Sequence, residues 1–309
     1  MVATLLRKAF SCLVTLFVVI TGSFFLIRLV PGGPFDRERL PDPQVRKLLE
    51  AKYDRDKPLL VQYGRYVADL VRGDLGLSMK YEGRTVNEVL AASVPASAAV
   101  GLCALGLAVL LGVPAGMAAA LRRNRLGDHL VMAAAVLGIS LPSFALAMLA
   151  MLLFSFVVRW LPASWPPDGR VGPEHLILRA AVLAAPLLAY IARLTRASML
   201  EVLHQDYVRT AQAKGLPPHR VVFKHALRNA ALPVVSYLGP AAAAILTGSL
   251  VVEKIFVIPG IGQHFVTAAF NRDHTLVMGT VILYATLLIV LNFLVDVAYA
   301  LLDPRVRLE

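Results

Sequence analysis

The feature that most constrains this chain is a series of six apolar blocks, at residues 9–30, 94–121, 130–158, 176–192, 231–252 and 275–302. Crossing a bilayer takes about 20 apolar residues rising 1.5 Å each. Inside hydrocarbon no water satisfies the backbone, so a lone spanning segment must close its hydrogen bonds internally as a helix. The expected fold is therefore an all-α membrane protein with six transmembrane helices. Pro114, Pro142, Pro186 and Pro240 lie inside four of the blocks, where packed membrane helices tolerate proline and kink at it. Gly112, Gly116, Gly138 and the alanines at 241–244 are small enough for close helix approach. The first block follows Arg7 and Lys8, as a signal peptide's core would. It is too long for one, and VPGG at 30–33 lacks an A-x-A site. It is read as an uncleaved span, with Arg28 snorkelling toward its outer end. Cys12 and Cys103, both within apolar blocks, read as buried small residues and not as a disulfide or metal pair.

The net charge of +11 finds its explanation in the loops, without nucleic acid. Arg7 and Lys8, then Arg122, Arg123 and Arg125, then the loop from Arg193 to Arg228, then Arg305 and Arg307 all fall on one side if there are six spans. The positive-inside rule puts that side, with both termini, in the cytoplasm. Three parts follow: residues 1–30 with the first helix, a small extracytoplasmic domain at 31–93, and a five-helix core at 94–309. Leu48, Leu49, Leu59, Leu60, Tyr63, Tyr66, Val67, Leu70 and Val71 place two short amphipathic helices in the domain, with turns at Gly73, Gly76 and Gly83.

Catalytic signatures are missing. The chain holds no G-x-x-x-x-G-K-[ST] phosphate loop, no H-E-x-x-H, no G-x-S-x-G and no C-x-x-C. Its seven histidines lack metal-ligand spacing. No catalytic, metal or cofactor residue is assigned, and an enzyme is not the expectation.

The informative segment is the loop at about 193–230, between the fourth and fifth spans. Asp206 as N-cap, with Gly215 and Pro217 as a stop, frames a helix of about ten residues. A second begins near Pro218 and carries Val221, Val222, Ala226 and Ala230 on an apolar stripe. Physics leaves two options open: a rigid knob projecting from the membrane, or an amphipathic hairpin lying on anionic headgroups.

RTAQAKG at 209–215 resembles the EAA loop of ABC-importer permeases, with Arg209 where the family has its first Glu, and HALRN at 225–229 resembles the end of that motif. LVPGGP at 29–34, GDLG at 73–76, GSLVVEKIFVIPGIG at 248–262, NRD at 271–273 and DPR at 303–305 extend the likeness along the chain. Together they are similar to the B-type permease of oligopeptide and dipeptide importers in a bacterial inner membrane. The resemblance implies a coupling helix gripped by a separate ATPase subunit, involving Arg209, Thr210, Ala211, Lys214, Gly215, His225, Leu227 and Asn229. It implies an outer gate or binding-protein contact at Glu253, Phe256, Pro259, Gly260 and Gly262, a stretch that by itself reads as a connecting loop. Its partners would be a paralogous permease, two ATPase subunits that bind ATP and magnesium, an extracytoplasmic binding protein and the lipid bilayer. Relatives carrying haem or metal chelates leave the cargo open.

Asn292 and Asp296, spaced i, i+4 in the last block, share a helix face. They read as an intramembrane polar anchor. A proton relay through Asp296 would instead describe a proton-coupled secondary transporter.

Overall fold

The computed structural model describes residues 2–29, 43–81, 83–166, 169–246 and 248–302, and among these every regular element is a helix. DPR at 303–305 and most of LVPGGP at 29–34 lie outside the described residues. The order is α1 (Val2–Leu29), α2 (Pro43–Lys52), α3 (Leu59–Val71), α4 (Val86–Leu121), α5 (Leu126–Ser140), α6 (Ser143–Met151), α7 (Pro173–Leu203) and α8 (Asp206–Ala213). Then come α9 (Pro218–Arg220), α10 (Leu227–Ala230), α11 (Leu232–Leu246), α12 (Leu250–Ile255), α13 (Ile261–Phe270) and α14 (His274–Leu302). π-helical stretches follow α6 at Leu152–Val157 and α9 at Val221–Ala226.

Among the described residues five helices are long and apolar enough to span a bilayer, and six if one bent pair counts as a single span. That pair corrects the expected continuous block at 130–158: Leu126–Ser140 and Ser143–Val157 meet at 103°. Leu141 is extended (φ −75°, ψ 124°) and Pro142 (φ −58°, ψ 137°) starts the next helix. A residue before proline is pushed out of the helical region, so the chain turns there instead of kinking gently. Pro114, Pro186 and Pro240 do stay within helices.

The centre of the bundle is the pairing of α4 with α7. Gly112 and Gly116 make it close: a β-carbon at Gly112 would lie 3.0 Å from the Leu188 carbonyl oxygen, and one at Gly116 would overlap that of Ala192. α11 joins them through Val234, Ala241 and Ile245, packed with Ala104, Ala108, Ala184 and Ile191. α5 leans on α7 where Gly138 faces Ala185 and Ala189, while α14 runs beside α11 and α1. Cys103 is exposed on α4, and both cysteines are free. The expectation that both are buried fails: Cys12 is half-buried, and Cys103 lies on a helix face that no neighbour covers among the described residues.

α4 starts at Val86, eight residues ahead of its apolar block. Thr85 and Glu88 close a reciprocal capping box, with Thr85 Oγ1 accepting from Glu88 N at 3.2 Å and Glu88 Oε2 accepting from Thr85 N at 3.1 Å. Beyond this cap, α3 packs on the last turns of α1. Tyr63 Oη lies 2.7 Å from Thr21 Oγ1, and Arg28 folds back over the Phe24 ring to donate to Gln62 Oε1 at 3.2 Å. So Arg28 packs against α3 and does not extend past the helix end.

The two short motifs at 73–76 and 271–273 converge on one buried group. Asp273, fully enclosed, accepts from Ser78 Oγ (2.5 Å) and Lys80 N (3.0 Å) and caps α14 by accepting from Leu276 N (3.0 Å). Gly73 and Gly76 (φ +79° and +85°) shape the turn that delivers Ser78 to it.

Candidate functional site

At one end of the bundle, α7 runs into a helical hairpin. Gln205, and not Asp206, holds the N-cap position of α8. Asp206 is the first helical residue, where its charge still suits the positive end of the helix. The other end of α8 is a Schellman cap. Gly215 takes φ +72°, its N–H reaches Gln212 O (2.9 Å) and the Leu216 N–H reaches Ala211 O (3.3 Å). Leu216 then covers Val208, Ala211 and Val221, the small core of the hairpin.

The return arm starts with Pro218 and passes through the π-helical stretch. Val221 packs toward α8, while Ala226 and Ala230 pack on Met199 of α7 and Ala120 of α4. One extra residue in the turn lets a single short arm face both neighbours. Asn229 Nδ2 donates to Tyr207 Oη at 2.7 Å and ties the arms together. The expected coupling residues therefore divide. Arg209, Thr210, Lys214, Gly215 and Asn229 are exposed, whereas Ala211 is buried and His225 and Leu227 are half-buried. The exposed set forms a basic outer surface held by an apolar inner one.

At the opposite end, residues 248–262 form a compact knot and not the plain loop of the alternative reading. α12 and α13 fold around Glu253, which is 3% exposed. Its Oε1 accepts from Ser97 Oγ (2.7 Å) and its Oε2 from Gln263 N (3.0 Å), while Gln263 Nε2 returns to the carbonyls of Glu253 (3.0 Å) and Ile258 (2.6 Å). Ser97 Oγ also accepts from Ile261 N at 2.9 Å. Gly248 and Gly260 press on this carboxylate so closely that a β-carbon at either would overlap it, and one at Gly262 would lie 3.0 Å from Oε2. Of the five expected outer-gate residues only Pro259 is exposed. Glu253, Phe256, Gly260 and Gly262 are enclosed within the knot.

Asn292 and Asp296 face different helices. Asp296 Oδ2 pairs with Lys8 Nζ of α1 at 2.9 Å, and Asn292 presses on Gly239 of α11.

Other charged groups had no place in the sequence expectations. Asp128, 2% exposed, receives Arg196 in a two-pronged bond (2.6 and 2.8 Å) and the Asn124 N–H (3.0 Å), locking α5 to α7. Arg179 is wholly buried between the Trp165 and Phe256 rings, donates to the His175 carbonyl, and has no partner for Nε or Nη2 among the described residues. Their trace in the sequence is a charge inside or at the edge of an apolar block.

Hairpin, knot and the helix pair bent at Leu141 sit in a chain with long apolar helices that suit a bilayer, and comparison with known proteins gives its class. The family model of the binding-protein-dependent transport system inner membrane component matches residues 112–308. The oligopeptide transport system permease protein OppB of Salmonella typhimurium is 47% identical over 307 residues, covering 99% of this chain and all of that protein. The dipeptide transport system permease proteins DppB of Bacillus subtilis and of Lactococcus lactis subsp. cremoris are 45% and 39% identical. They cover 99% and 100% of this chain, and 98% and 100% of their own lengths. The chain belongs to this family of inner-membrane permeases of binding-protein-dependent transporters.

Proposed function

We propose that this permease builds half of the passage of an ATP-driven importer of dipeptides or oligopeptides. It pairs with a paralogous permease, each half seated on an ATPase subunit that binds ATP and magnesium, and receives cargo from an extracytoplasmic binding protein. Both termini and the hairpin face the cytoplasm, and residues 31–93 lie outside. The observation that carries this is the hairpin: a short helix locked by the Gly215 cap presents Arg209, Thr210 and Lys214 outward while Val208 and Ala211 anchor it. Such a body transmits a push without deforming. The peptide class rests on the relatives named for oligopeptide and dipeptide transport, and the loop charges support the orientation. The Glu253 knot, on the outer side, shapes the mouth from within, and Pro259 is its exposed point. A proton relay through Asp296 fits less well, since that carboxylate is engaged by Lys8.

Purified complex reconstituted in vesicles tests this. Labelled peptide should accumulate only with ATP and loaded binding protein. Accumulation driven by a proton gradient without ATP, or of haem or a metal chelate in place of peptide, would overturn it.

A further inference from the structure

The exposed faces of the membrane helices differ in kind. α5 shows Leu130, Val136 and Leu137, and α14 shows Val290 and Leu294, all large and apolar. α11 instead exposes Pro233, Ser236, Pro240 and Ala244, and the neighbouring face of α7 exposes Tyr190, Arg193 and Ala197. The two faces adjoin, because Tyr190 of α7 stacks on Tyr237 of α11 with ring centroids 4.2 Å apart. Beside them, between α7 and α5, opens a groove of about 360 Å³ lined by Met132, Tyr190, Arg193, Leu194, Arg196 and Ala197.

The two arginines in this groove are not equivalent. Arg196 is neutralised by its two-pronged bond to Asp128. Arg193 has no hydrogen bond or ion pair among the described residues. It stands just past the apolar block at 176–192 and roughly 15 Å of helix before α7 ends at Leu203, at the cytoplasmic end of this span in the orientation proposed above. An ionised side chain at such a position turns to water at the inner end of the span.

We propose that this small and polar face of α7 and α11 is the wall of the substrate passage, and that Arg193 receives the terminal carboxylate of a peptide there. The inference rests on the function proposed above. A guanidinium matches a carboxylate with two parallel hydrogen bonds, and every unblocked linear peptide ends in one whatever its side chains. Tyr190 beside it offers a ring and a hydroxyl to a passing backbone without selecting a sequence. One unpaired cation in the wall gives a brief holding point for cargo of variable composition.

Two measurements on the complete complex test it. In the first, uptake of a free-acid peptide and of its C-terminal amide is compared for wild type and Arg193→Gln, with the same binding protein. Selectivity of the binding protein then cancels in the ratio of variant to wild type. Free-acid uptake should fall roughly tenfold, the worth of a charge-assisted bond, with the amide unchanged. Equal effects on acid and amide overturn the carboxylate role. A defect that follows the anionic lipid content of the vesicles, and not the peptide terminus, overturns it in favour of a headgroup site. In the second, single cysteines are placed at Arg193, Ser236, Leu137 and Leu294 in a Cys12→Ser, Cys103→Ser background. A membrane-impermeant thiol reagent applied to open vesicles should label positions 193 and 236 and spare 137 and 294. The reverse pattern overturns the wall assignment. Labelling decides even if wild type carries no peptide, so failure of the proposed function and failure of this inference remain distinguishable.

Discussion

The hairpin packs against Ala120 and the Glu253 knot against Ser97, roughly 35 Å apart along α4. Both are short helices punctuated by glycine, yet they use glycine for different physical reasons. At Gly215 the need is conformational: φ is +72° and a β-carbon would meet nothing within 4 Å. At Gly260 and Gly262 the need is steric, since φ is unexceptional at both but the space is taken by the Glu253 carboxylate. Gly248 combines the two, with φ +87° and the carboxylate against it. The charges follow the same division. Arg209 and Lys214 are displayed to solvent, whereas Glu253 is enclosed among hydroxyl and amide donors. One end is built to be touched and the other to hold its own shape.

That contrast can be broken by substitution. Gly260→Ala should be the most damaging, because the methyl displaces a buried, hydrogen-bonded carboxylate and costs about 3 kcal/mol or more. Thermal unfolding of the purified permease measures it, and a loss under about 1 kcal/mol would mean the knot is pliable. Next is Glu253→Gln, which keeps the shape but turns an amide toward donors it cannot all accept, a loss of about 1–3 kcal/mol. At Gly215 the ordering should be Val above Ala above Asn, with about 1–2 kcal/mol for the left-handed backbone in the first. Equal losses for Ala at positions 215 and 260 would erase the distinction drawn here. Smallest in stability is Arg209→Glu with Lys214→Glu, within about 0.5 kcal/mol of wild type because both groups are exposed. In function the same double change should be severe. ATPase stimulation by loaded binding protein should vanish while that protein still docks, and unchanged stimulation would remove the hairpin from the coupling path.

What could be read from the sequence was what is local. The six apolar blocks announce five long apolar helices and one bent pair, and the left-handed stop at Gly215 depends only on the residues around it. Helix ends were harder: Asp206 is a favoured N-cap residue and Gln205 is not, yet the path of the chain out of α7 puts Gln205 at the cap, with no side-chain cap bond. The break at Leu141 was out of reach because a proline in a membrane segment can bend or end a helix, and neighbours decide which. The cage around Glu253 depends on Ser97, 156 residues away. The same holds for Asp128 with Arg196 and for Asp273 with Ser78: a lone acid in a sequence does not say which distant helix will answer it.

α4 spans 36 residues, about 54 Å of helix against a hydrocarbon layer near 30 Å. It runs unbroken through Pro95 and Pro114 and is clamped to α7 by glycines that leave no room to slide. Its first turn is stitched to the Gly73–Ser78 turn through Asn87, and its last turns pack on the hairpin arm at Ala226 and Ala230. In the function proposed above it is a lever whose two arms emerge on opposite faces of the membrane. Tilting a rod of this length by roughly 10° about one end carries the other through about 9 Å, nearly the diameter of a helix. In the function proposed above, a modest stroke delivered at the hairpin would arrive at the far turn as a displacement wide enough to admit or refuse a peptide chain.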